Sequence, residues 1–173
     1  MIQDYLRQIG FLLLIIALQA LVFNHVHIYG YATPFICVYF ILTLPLSTPR
    51  WAKLLWGFGI GLVQDMFANT PGIMAATLTM VAMLQNFLLT LLGAQNNEDK
   101  DEAVSPSLIS LGMIPFLRYM AVGVLLQNTL FYLLVTFSFA SFTDIVLNIT
   151  GSTILSFLII WFIESIRCNT MKR

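Results

Sequence analysis

Charged side chains interrupt this sequence at only a few places, and between them lie apolar runs long enough to cross a bilayer. The charges fall at Asp4, Arg7, Arg50, Lys53, Asp65, a cluster at 98–102, Arg118, Asp144, Glu164, Arg167, Lys172 and Arg173. They make up 9% of the 173 residues, against 59% apolar. A soluble domain carries about 25% charged residues, and so few charges cannot cover a water-soluble fold of this length. The composition excludes a soluble globular domain, a disordered tail and a nucleic-acid-binding module. It predicts an all-α integral membrane protein.

A spanning helix needs about 20 mostly apolar residues. Six runs qualify, at about 8–24, 31–47, 51–68, 72–93, 115–139 and 144–164, and they predict one six-helix domain over residues 1–173. The runs are continuously apolar rather than alternating with period two, which argues against a β-barrel. Ser47-Thr48-Pro49-Arg50 and Asn69-Thr70-Pro71-Gly72 read as tight polar turns. Thr143-Asp144 offers an N-cap for the sixth span. With six crossings, all eight basic residues fall on one side, and the positive-inside rule puts that side and both termini in the cytoplasm. The first span is expected to be an uncleaved anchor rather than a signal peptide ending near Gly30-Tyr31-Ala32.

The long connection, about 94–110, is predicted to be a cytoplasmic loop. Its Asn96-to-Glu102 run reads as solvated, with an acidic docking segment as the alternative. Ser105-Pro106 resembles a cap followed by a first helical turn, so a short interfacial helix is expected over 106–112.

Few groups inside the runs carry chemistry. Gly57 and Gly61 form a small-xxx-small pair that admits another helix closely, either within the bundle or from another membrane protein. Asp65 sits near the outer end of the third span, as a polar anchor, a partner contact or a cap on the following turn. Gln85, Asn86, Gln127 and Asn128 lie deeper and are read as hydrogen-bonding glue between helices. Glu164 and Arg167 are spaced as a helix-end ion pair. Cys37 and Cys168 belong at opposite depths and give no disulfide framework. His25-x-His27 lacks the further ligands a metal needs. No nucleophile has a base at a recognisable spacing, so the expectation is a non-enzymatic protein without metal or cofactor.

The stretch from Gly57 to Ala76, GFGIGLVQDMFANTPGIMAA, resembles the signature of the rod shape-determining MreD family. That signature runs from a Gly-containing helix through an Asp and an apolar pair to a short Pro/Gly turn and a small-residue helix start. Asp65, Pro71 and Gly72 fall on it, while Asn69 stands where many members carry a small residue such as Gly. The resemblance implies a scaffold subunit of the bacterial cell-elongation machinery in the inner membrane. Its implied partners are the single-span protein MreC, the cytoskeletal MreB, RodA and a class B penicillin-binding protein. It also implies the fold shared with the S-components of energy-coupling-factor vitamin transporters, and an S-component is the alternative reading. The candidate contact region is Gly57, Gly61, Asp65, Asn69, Pro71 and Gly72.

Overall fold

The computed structural model describes residue 19 and residues 34–70, 72–92, 106–136 and 142–171. These residues form helices and their connections, with no strand among them. In chain order the helices are α1 (Cys37–Leu42), α2 (Arg50–Ala68), α3 (Ile73–Leu91), α4 (Leu108–Leu111), α5 (Met113–Val135) and α6 (Phe142–Met171). Among the described residues three stretches are long and apolar enough to cross a membrane: Ile73–Leu91, Met113–Val135 and Ile145–Ile166. The protein is therefore a helical membrane protein by length and composition.

The predicted fourth, fifth and sixth spans correspond to α3, α5 and α6. The third corresponds to α2, which has the length, but Lys53, Gln64 and Asp65 lower its hydropathy. Most of the predicted first span, the His25–His27 pair, Pro71 and the acidic 96–102 run lie outside the described residues.

The second span is corrected. In place of a continuous helix, the described part of that span, 34–47, holds the six-residue α1 followed by irregular chain. Pro34 and Pro45 bracket it. Proline lacks the N–H that a helix interior needs, and it pushes the residue before it out of the helical region. Two smaller corrections concern caps. The short interfacial helix is capped by Ser107 rather than Ser105, in a reciprocal pairing with Ser110. The last helix is already helical at Phe142, so Thr143 lies inside its first turn rather than capping it.

The core forms where α1 is wrapped by α2, α3 and α5, with α6 against α5. From Phe35 to Leu42 every residue but Phe40 is buried. Gly123 of α5 lets α1 dock: a Cβ there would lie 2.6 Å from the Leu42 side chain. Tyr39, Ile41, Leu42, Leu78, Val81, Leu89, Tyr119, Met120 and Val124 form the close-packed centre.

Candidate functional site

Two polar constructions lie within the apolar bundle. The first is the hairpin of α2 and α3. Its glycines are spaced four apart on one face of α2, and that face meets α3 at backbone distance. A Cβ on Gly57 would lie 2.9 Å from the Leu78 carbonyl oxygen, and one on Gly61 would lie 2.4 Å from the Ala75 Cα. The pair therefore packs inside the bundle, and its face is not available to a partner. Gly59, between them in sequence, points outward, with nothing within 4 Å of its Cβ position.

Asp65 closes the hairpin. One carboxylate oxygen accepts from the Thr70 hydroxyl at 2.8 Å and from the Met74 N–H at 2.9 Å. The other accepts from the Ala75 N–H at 2.9 Å. A carboxylate at a helix start satisfies N–H groups that have no partner within the helix and complements its dipole. Of the three roles open to Asp65 from sequence, the geometry is that of the cap. Asn69 ends α2 with φ 54° and Gly72 precedes α3 with φ 80°. Both are left-handed, a region open to Gly and tolerated by Asn.

The second construction surrounds α1. So short a helix leaves most of its backbone groups unbonded, and non-helical backbone at membrane depth is tolerated only when the protein satisfies it. Side chains from four other segments do so. At its start, the Phe35 N–H donates to Ser156 Oγ at 2.8 Å and the Ile36 N–H to Gln19 Oε1 at 2.7 Å, while Gln19 Nε2 donates to the Pro34 carbonyl at 2.7 Å. At its end, Gln85 Nε2 donates to the Leu42 and Leu44 carbonyls at 3.2 and 3.1 Å, and the Tyr119 hydroxyl donates to the Leu42 carbonyl at 2.9 Å. Along its side, Gln64 Nε2 donates to the Cys37 thiol sulfur at 3.2 Å, and the Tyr39 hydroxyl donates to the Glu164 carboxylate.

The amides read as glue divide accordingly. Gln85 clamps the broken segment. Asn86 accepts from Lys53 Nζ at 2.8 Å, and Gln127 Nε2 donates to Thr77 Oγ1 at 2.9 Å, both between helices. Asn128 is a correction: its short side chain turns back to its own helix, donating to the Val124 carbonyl at 2.9 Å. Glu164 is buried and accepts from Tyr39 and from the Leu108 N–H at 3.2 Å. The side chain of Arg167 lies outside the described residues.

Gln19, Tyr39, Tyr119, Ser152 and Ser156 escaped the sequence reading. A signal for some of them exists: Asn148, Ser152, Ser156, Ile160 and Glu164 recur every four residues, one face of α6. Ser152, Ser156, Ile160 and Glu164 on it are all buried. The arrangement fixes helices relative to one another. Compared with models of protein families, with curated proteins and with solved structures, the chain matches none.

Proposed function

We propose that this chain is a non-enzymatic scaffold subunit of the bacterial cell-elongation machinery, resident in the inner membrane. It would bind an MreC-like single-span protein and, through the assembly, MreB, RodA and a class B penicillin-binding protein. The full chain would cross six times with both termini in the cytoplasm, the second crossing being the interrupted segment around α1. One observation carries the reading. The residues of the Gly57–Ala76 stretch that resemble the rod-shape signature are those that build the α2–α3 hairpin: Gly57 and Gly61 at the contact, Asp65 as cap, Asn69 and Gly72 in the turn.

With the Gly57–Gly61 face filled by α3, the part of α2 left for a partner helix is its outward stripe of Gly59, Leu62 and Met66, all exposed. Gly59 leaves room there for close approach. The test is affinity purification of the tagged protein from gently solubilised membranes. Recovery of wall-elongation proteins is the expected result.

A second reading, the vitamin-binding S-component, is favoured by Gln127 Oε1 and Asn128 Oδ1. Both are buried and without a hydrogen-bond partner among the described residues, as the acceptors of a polar ligand would be. Recovery of ATPase and coupling subunits, or of a bound vitamin, would replace the scaffold reading with this one.

A further inference from the structure

Helix α4 is joined to the bundle by separable attachments. Its own bonds are internal: Ser107 Oγ accepts from the Ser110 N–H at 3.3 Å, Ser110 Oγ from the Ser107 N–H at 2.9 Å, and the Ser107 carbonyl from the Leu111 N–H at 3.0 Å. Bonds closed within the turn are kept when the turn is displaced as a unit. It joins α5 through Gly112, which is exposed and lies at φ 81° and ψ 163°, a region open essentially to glycine alone. Space around it is open, with Pro115 Cδ 4.0 Å from its Cβ position. Helix α5 starts from the Gly112 carbonyl, which accepts from the Phe116 N–H at 3.2 Å, so its first turn does not depend on where α4 lies. One element-terminal residue that can absorb the change in backbone angle is the usual form of a hinge.

At its other end α4 is fastened to α6. The Leu108 N–H donates to Glu164 Oε1 at 3.2 Å. A hydrogen bond to a carboxylate is roughly twice as strong as one between neutral groups. Leu108 and Leu111 rest half-buried against the core cluster. The other oxygen of Glu164 accepts from the Tyr39 hydroxyl of α1. One buried carboxylate therefore joins α4 to α6 and α6 to the interrupted segment.

We propose that α4 is a hinged strap, turning about Gly112 and latched by the Leu108–Glu164 bond, that opens and closes over Glu164 without unfolding the bundle. Opening exchanges one charge-assisted bond for water and lifts two half-buried leucines. It bares the carboxylate that holds Tyr39, so the seating of α1 is reached from the strap. The inference rests on neither functional reading and holds for a scaffold and for an S-component alike.

The test uses two thiols in the full chain, purified in a neutral detergent. Cys168→Ser removes one native cysteine, Leu111→Cys places a thiol on the strap, and Cys37, buried in α1, reports on the bundle. Labelling by a water-soluble maleimide is followed at each by mass spectrometry. Tyr39→Phe with Glu164→Met removes the latch and strands no hydroxyl, since both partners of that bond become apolar. It should speed labelling of the introduced thiol by about tenfold, the worth of one hydrogen bond to a charged group, while Cys37 stays unlabelled. Tyr39→Phe alone keeps the acceptor of Leu108 and should leave the rate unchanged. Gly112→Ala, strained in the closed position, should speed labelling of the strap alone, and it decides by the same two thiols if the double variant does not fold. Labelling of Cys37 in step with the introduced thiol would show that α4 opens only with the bundle and would overturn the strap. An unchanged rate without the latch, or in Gly112→Ala, would overturn it as well.

Discussion

Half of the α3 spanning stretch is buried inside the protein, against 17% of that of α6, and the two helices are held by different forces. The α2–α3 hairpin is a backbone contact, made close by Gly57 and Gly61 and fixed in register by Asp65. Helix α6 touches the bundle along one narrow stripe, where Ser152 bonds Tyr132 at 2.8 Å, Ser156 bonds Phe35 and Glu164 bonds Tyr39. Lipid tails are as apolar as leucine, so helices in a bilayer gain little by simply burying apolar area. Close packing and polar bonds remain. The hairpin relies mainly on the first and α6 on the second, so the two should respond differently to substitution.

The largest effect is expected at the hairpin. Gly61→Leu puts side-chain atoms where the Ala75 backbone now lies, and backbone cannot give way as a flexible side chain can. Its cost should exceed the ~1–3 kcal/mol of ordinary overpacking and appear as loss of folded protein in size-exclusion profiles. Next comes Asp65→Ala, which strands the Met74 and Ala75 N–H groups. It should destabilise by about 2 kcal/mol, the upper range for a lost helix cap, read as a lower melting temperature in detergent. Ser156→Ala, on α6, removes the acceptor of one buried N–H at the start of α1 and should cost about 1 kcal/mol. It should also speed hydrogen exchange at Phe35 before it affects the hairpin. Gly59→Ala should be the mildest. With open space around it, the change should alter stability by less than about 1 kcal/mol, in the favourable direction given by helix propensity. A melting point lowered as far as by Asp65→Ala would contradict its outward placement.

The same contrast explains what was legible in the sequence. The lengths of α2, α3 and α5 follow from apolar runs ended by turn residues, and these survive any arrangement of neighbours, whereas α6 continues past the expected end at 164 to Met171. The Gly57–Gly61 spacing gave a packing face directly, although not its occupant. The second span was misread because a count of apolar residues passes over Pro34 and Pro45, whose effect is on backbone bonding rather than hydropathy. The groups that repair the break come from distant parts of the chain: Gln19, Gln85, Tyr119 and Ser156. Nothing local to α1 announces them. Nothing local to Lys53 likewise announces that α3 covers it and brings Asn86 to its ammonium.

On the proposed scaffold reading α2 has two working faces, one packed on α3 and one offered to a partner. Paired variants separate them most directly: Gly61→Leu and Gly59→Leu, each measured for folded yield and for co-purification of the single-span partner from native membranes. Gly61→Leu should lose folded protein and partner together. Gly59→Leu should keep its folded yield and lose the partner. A Gly61→Leu protein that folds normally, or a Gly59→Leu protein that retains the partner in full, would contradict the assignment.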